Sequence, residues 1–295
     1  VTSSPLHGAS ADPRRGFANM AAAMALFATQ DALARHLAEQ ASVLTILTIR
    51  YWAFVLFVLA IGARSPGGLA RTVRTRHPFV QVGRGVLLAA QVAMIIEGFT
   101  RLGLVATHAL FAGAPLLVVA LSGPTLGERV TLRRWLAILA GLGGALLILR
   151  PGAEAVSADA LLVLAAAVMF AGYALMTRRV AAHDRPETSL FYTGVAGAAA
   201  LSLVVPFAWD PPPPADWGWM LLLCLISALG HSLYIRALAA AEASRLQPLA
   251  YLHLVFASVY GVALFGESLS VTTVTGAAVV IAAGIVAMRP ERGRG

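Results

Sequence analysis

Leu126-Gly127-Glu128 returns later in the chain as Phe265-Gly266-Glu267, and each glutamate is followed 22 residues on by Arg-Pro, at Arg150-Pro151 and Arg289-Pro290 (150 − 128 and 289 − 267). Each Gly-Glu closes one apolar run and each Arg-Pro closes the next, so the chain reads as one unit written twice. Weaker echoes agree: Phe99-x-Arg101 with Tyr234-x-Arg236, and Phe27-Ala28 with Phe170-Ala171. The competing explanation is that Gly-Glu and Arg-Pro are simply good helix-end chemistry.

Composition says what is repeated. Hydrophobic residues are 59% and charged residues 12%, with mean hydropathy +0.78, against roughly a quarter charged in soluble domains. The chain is an integral membrane protein with room in 295 residues for about ten spans of about 20 residues, and none for a soluble domain. The spans are expected at 17–37, 43–62, 85–102, 106–126, 135–149, 158–177, 189–207, 220–238, 243–264 and 271–288. The units are then 17–150 and 151–290, with a disordered N-terminal segment 1–16 and a basic tail 291–295. Five spans per unit is odd, so the second copy enters the membrane upside down. That is the plan of carriers whose site lies between inverted repeats. The predicted fold is therefore an all-α membrane protein of ten transmembrane helices in two inverted five-helix repeats.

All 22 basic residues are arginine, and the net charge is +8. Most of them lie in loops between the apolar spans and form no basic face, so the charge reports topology and not nucleic-acid binding. The loop 64–84 carries Arg64, Arg71, Arg74, Arg76 and Arg84 with no acid, whereas Trp209–Trp219 carries two acids, four consecutive prolines and three tryptophans with no arginine. The first is expected inside and the second outside, with both termini cytoplasmic. Arg14-Arg15 before an apolar stretch looks like a signal peptide, but no small-x-small cleavage site precedes Gln30-Asp31, and span 1 is expected to be retained. The single Cys224 offers no disulfide within the chain.

Read as a helical hairpin, 17–62 places Asp31 and Arg50 at one depth, roughly 14 Å from the turn at about 1.5 Å per residue. A lone charge there costs at least ~2.5–3.5 kcal/mol, so such residues pair, face a wet interior and mark a pathway. Asp31 has Arg35 and Arg50 as candidate partners, in a structural pair or a coupling one. Glu97 is the second candidate for carrying a proton, and Arg101 is expected to snorkel. His231 and His253 fall near the centres of spans 8 and 9, as hydrogen-bond donors between helices or as substrate contacts. Ser227, His231 and Tyr234 share one face of span 8, Gln247, Tyr251, Leu254 and Ser258 one face of span 9, and His108, Phe111 and Pro115 one stripe of span 4. Pro115 and Pro248 interrupt the partner spans 4 and 9, as at transporter binding sites. They precede Glu128 and Glu267 by 13 and 19 residues (128 − 115 and 267 − 248), so the two kinks need not be symmetric. Trp52 and Trp135 read as packing residues. Gly141, Gly143, Gly144, Gly276 and Gly284 offer small faces that either hold the halves together or build a homodimer.

With its ten spans, paired Gly-Glu turns and glycine-rich spans 5 and 10 ending in Arg-Pro, the sequence resembles the drug/metabolite transporter superfamily, in its EamA-type bacterial branch. The resemblance implies a duplicated five-helix unit in the inner membrane that moves small organic metabolites by alternating access without ATP hydrolysis. Phe27 to Arg35 (FATQDALAR), with Ile49-Arg50-Tyr51, is similar to the subset that includes riboflavin and S-adenosylmethionine carriers, with Arg35 where those often carry lysine. The expected function is transport: export of amino acids or related compounds, or else uptake of a vitamin or nucleoside-like metabolite. A non-transporting sensor or scaffold would need neither several buried charges nor a duplicated unit. No His-Glu-x-x-His, Gly-x-Ser-x-Gly or ligand-spaced Cys/His cluster is present, so no enzyme, metal or cofactor is expected. The expected partners are the lipid bilayer and a small-molecule substrate.

Overall fold

A computed structural model describes residues 13–38, 40–64, 67–102, 104–149, 158–265 and 271–288. Glu267, Arg150-Pro151, Arg289-Pro290, the tail and residues 1–12 lie outside the described residues, as do the side chains of Phe99 and Ser258. The described chain is helical: α1 (Pro13–Ala38), α2 (Val43–Arg64), α3 (Gly68–Val73), α4 (Pro78–Leu102), α5 (Leu104–Phe111), α6 (Ala114–Leu126), α7 (Leu132–Leu149), α8 (Ala158–Val180), α9 (Pro186–Val204), α10 (Trp217–Ala240), α11 (Ala243–Ala250), α12 (Leu252–Phe265) and α13 (Val271–Met288). With α5–α6 and α11–α12 each counted as one interrupted span and α3 as a loop helix, the ten spans fall in the expected order.

Two element ends differ from expectation by more than one helical turn. The expected disordered segment gives up Pro13–Gly16 to α1, where Gly16 is buried against Ala241. The basic loop is shorter than expected because α4 starts at Pro78, a residue pre-set for the first helical turn. Arg84 is therefore a helical residue, fully buried, and not a loop charge.

The expected α1–α2 hairpin is overturned. α1 packs along α10, α12 and α11 and barely touches α2, which lies against α9 and α10. Helices α4 with α8 and α9, α6 with α8, and α7 with α13 complete the bundle. Replacing each span by its repeat partner turns α1–α10 into α8–α4, and α1–α12 into α8–α6, so the packing carries the two-fold relation of inverted repeats. Contacts form across the halves because lipid rewards no helix pair for apolarity alone. Close backbone approach decides instead, and small residues supply it across the repeats. A Cβ at Gly144 would stand 2.8 Å from the Gly276 carbonyl oxygen, one at Gly230 2.9 Å from the Phe27 ring, and one at Gly141 2.5 Å from the Tyr251 ring.

The two interrupted spans break at matching places. α5 gives way to α6 at Ala112-Gly113, and α11 to α12 at Tyr251. Ala112 and Tyr251 stand 139 residues apart, as do Glu128 and Glu267 (251 − 112 and 267 − 128). The prolines lie on opposite sides of their breaks, Pro115 three residues after Ala112 and Pro248 three before Tyr251. Each removes a backbone donor and frees a carbonyl one turn earlier. The breaks coincide although the prolines do not. The Tyr251 hydroxyl donates to the Ala112 carbonyl at 2.9 Å, tying one break to the other.

The Gly-Glu turn has a structural role. Gly127 closes α6 in the left-handed conformation (φ 69°), its N–H bonded to the Gly123 carbonyl, a geometry that favours glycine. The Glu128 carboxylate then accepts from the backbone N–H groups of Ala243 (3.0 Å) and Ser244 (3.1 Å) and from the Ser244 hydroxyl (2.8 Å). A residue of the first repeat thus caps the first turn of span 9 in the second.

Candidate functional site

Between the repeats lies a cavity of about 400 Å³. Span 1 supplies Phe27, Gln30 and Asp31, span 2 Arg50, span 4 His108 and Phe111, span 6 Phe170, span 8 His231 and Tyr234, and span 9 Tyr251 and His253. Exposed Arg35 and Ala38 mark its mouth at the α1–α2 turn. That turn is docked on the segment between α9 and α10: the Ser42 N–H donates to the Asp210 carbonyl at 3.2 Å, and His36 lies 3.5 Å from Asp216. At the opposite end fully buried Met20, Tyr173, Val118, Leu238 and Leu246 form an apolar plug.

One wall is aromatic. Phe111 meets Phe170 edge-on at 5.4 Å, Phe170 lies 5.9 Å from Tyr234, and Tyr234 6.1 Å from Phe27. Phe27 and Phe170 are the aromatic members of the repeated Phe-Ala pair, so an internal echo in the sequence marked two wall residues that polarity alone passed over. Such edge-on and tilted contacts suit the ring quadrupoles. They leave a surface for a flat ring.

The polar wall departs from the expected pairing. Asp31 does not bridge to Arg50 across a hairpin: its Oδ2 lies 2.9 Å from His253 Nε2 on α12. His108 stands beside that pair, its ring 5.9 Å from His253. A carboxylate of the first repeat therefore meets a histidine of the second, because α1 packs on α12 and not on α2. Thr29 adds a second link, its hydroxyl 2.6 Å from that of Tyr260. Arg50 is 4% exposed, and its Nη2 has no hydrogen-bond partner among the described residues.

Two expected site residues lie elsewhere. Glu97 is half-exposed and bridged to Arg101 at 2.8 Å, while Arg101 also reaches Asp159 at 3.2 Å. The carboxyl expected at Glu97 as a proton carrier is instead part of a surface network with Arg101 and Asp159, because its stretch of α4 turns outward. Gln247 is fully buried in α11 but does not line the cavity. Pro115 lines it and Pro248 does not. Trp52 faces outward, its indole N–H donating to Ser202 at 2.9 Å.

Sequence reasoning also missed Arg84, which donates to Gln81 (2.7 Å), to Thr177 (3.0 Å) and to the Ser189 carbonyl, joining α4, α8 and α9. Asp184 beside it accepts from Gln81 at 2.8 Å and from the Thr75 hydroxyl. Pro78 as a helix start was the available signal. Among the described residues no group of three or more His, Cys, Asp or Glu is arranged to hold a metal ion.

The EamA-like transporter family model matches residues 14–150 and 158–289, the two halves of the chain in turn. The chain belongs to the EamA-like transporter family. It is 28% identical over 252 residues to a riboflavin transporter of Brucella anthropi, covering 83% of this chain and 88% of the relative. A riboflavin transporter of Rhizobium johnstonii is 31% identical over 77% of this chain and 75% of its own. An S-adenosylmethionine uptake transporter of Rickettsia bellii is 24% identical, over 75% of this chain and 76% of its own. A solved crystal structure superposes with TM-score 0.81 at 19% identity, covering 94% of this chain and 98% of the other, which establishes the shared fold. This EamA-like protein is thus a multi-pass membrane protein of a family of small-molecule transporters.

Proposed function

We propose that this EamA-like protein takes up a heterocyclic metabolite of the vitamin or nucleoside-like kind, by alternating access of its two repeats. The aromatic cavity between the repeats carries the reading. Its volume of about 400 Å³ falls in the range of small-molecule sites, roughly 300–1,000 Å³, and Phe27, Tyr234, Phe170 and Phe111 offer faces for a planar ring. The riboflavin and S-adenosylmethionine relatives favour uptake of such a compound over export of an amino acid. The arginine-rich loop at one end and the arginine-free loop at the other support cytoplasmic termini in a bacterial inner membrane, and a mouth that opens outward.

Transport of labelled riboflavin, S-adenosylmethionine and a panel of amino acids into proteoliposomes tests this. Accumulation of one of the two heterocycles, competed by its unlabelled form, is the expected result. Movement of an amino acid alone refutes it.

Proton coupling is proposed at Asp31, His253 and His108. Rocking one repeat against the other separates α1 from α12, and so breaks the Asp31–His253 contact and frees both groups to exchange a proton with water. Uptake should then rise when the side of entry is made acidic. A rate indifferent to the imposed gradient removes the coupling.

A further inference from the structure

The cavity has a side recess of about 10 Å³, room for about one oxygen-sized atom. Arg50 and His231 line both the recess and the cavity, and Tyr51 lines the recess. Three buried polar atoms here have no hydrogen-bond partner among the described residues: Arg50 Nη2, the Tyr51 hydroxyl and His231 Nδ1. Their polar neighbours are engaged elsewhere. Thr193 donates to the Ser189 carbonyl at 2.8 Å, and the Ser227 hydroxyl is bonded to Gln30. Asp31, the carboxylate on the cavity wall, stands against His253.

All three atoms can donate: the guanidinium always, the phenol freely, and the imidazole in the tautomer protonated at Nδ1. Buried donors without acceptors are costly, and a charged one most of all. A cluster of them on a cavity wall is what a site looks like when the acceptor arrives with the ligand. Close packing holds the cluster in place: the Tyr51 ring packs directly against Gly197, where any Cβ would collide with it, and Arg50 sits 5.8 Å from the Tyr51 ring centre.

We infer that the recess binds an anionic oxygen of the transported compound, from a carboxylate or a phosphate, while the compound's ring lies on the aromatic wall. This rests on the proposed uptake of a ring-bearing metabolite and adds the group by which it is held. The recess admits one oxygen, and the second can meet Arg50 from the cavity side, which suits the two-pronged way guanidinium groups hold oxyanions.

Equilibrium binding to the detergent-purified protein tests it with two pairs of probes. S-adenosylmethionine and its decarboxylated analogue differ in a carboxylate, riboflavin and riboflavin 5′-phosphate in a phosphate. The anionic member of at least one pair should bind about tenfold tighter or more, a difference of about 1.4 kcal/mol, and the responding pair tells carboxylate from phosphate. Arg50→Gln should bring that pair to within about twofold by weakening the anionic member alone, and Arg50→Lys should retain part of the preference. Equal affinities within both pairs for the wild-type protein would overturn the inference and mean that solvent fills the recess. So would an Arg50→Gln variant that weakens both members alike. If none of the four probes binds, the ring-bearing substrate itself is wrong, and the inference falls with it.

Discussion

Replacing Glu128 by alanine should unlock span 9 from span 4. The carboxylate is 6% exposed and accepts three hydrogen bonds at the start of α11, with the Arg178 guanidinium 3.6 Å away. The residue in the helix's own capping position, Glu242, makes no side-chain cap bond, so nothing local replaces what Glu128 supplies. Loss of a cap costs about 0.5–2 kcal/mol, and leaving Arg178, itself a quarter exposed, without its carboxylate adds at most about 1 kcal/mol after solvent screening. With three donors left unmatched the cap term lies at the upper end of its range, and the sum for Glu128→Ala is about 2–3 kcal/mol. Glu128→Gln keeps one acceptor oxygen and should cost about 1 kcal/mol. At roughly 2–4 °C per kcal/mol for a chain of this size, thermal unfolding in detergent should show midpoints lowered by roughly 4–12 °C for alanine and 2–4 °C for glutamine. An alanine variant within about 1 °C of wild type, or a glutamine variant as unstable as alanine, would refute the capping role.

Three further outcomes follow from the packing. In a double-mutant cycle of unfolding, Asp31→Asn and His253→Gln should couple by more than about 0.5 kcal/mol, whereas Asp31→Asn and Arg50→Gln, which form no ion pair among the described residues, should couple less strongly; the reverse result would restore the α1–α2 pairing. Gly197→Ala should drive the Tyr51 ring off its seat, lowering stability by about 1–3 kcal/mol as overpacked sites do and reducing uptake, and an unchanged unfolding midpoint would count against the close contact. Glu97→Gln, on an exposed network outside the cavity, should leave uptake and its response to a pH gradient within about twofold of wild type, because surface pairs contribute little; a lost pH response in proteoliposomes would return Glu97 to the coupling path.

How far the site was legible depended on whether a residue's signal was local. Pro115, His108, Phe111, His231, Tyr234, Tyr251 and His253 could be picked out because polar, aromatic or proline residues at helical spacing inside an apolar span are conspicuous one span at a time. The partner of Asp31 could not. In a hairpin Arg50 is the obvious choice, and only the packing of α1 on α12 brings His253 to it. Glu97 failed for a related reason: depth along a span gives no orientation about its axis, and its stretch of α4 faces outward. Arg84 was hidden by a boundary, since the arginines around it suggested a loop where Pro78 already begins a helix.

Alone, the sequence determined that the chain lives in a bilayer, that it crosses about ten times, and that its two halves are one unit inserted in opposite senses. Hydropathy, arginine placement and the Gly127-Glu128 and Gly266-Glu267 repeat are properties of short segments, and the membrane acts on segments one at a time. The tertiary structure decided which spans touch, that Glu128 of one half caps span 9 of the other, that the breaks at Ala112 and Tyr251 meet, and that Arg50, Tyr51 and His231 share a recess in which three of their polar atoms have no hydrogen-bond partner among the described residues. Those are relations between distant segments. In lipid they are fixed by backbone approach at small residues such as Gly144, Gly197 and Gly230, whose fit depends on both helices at once.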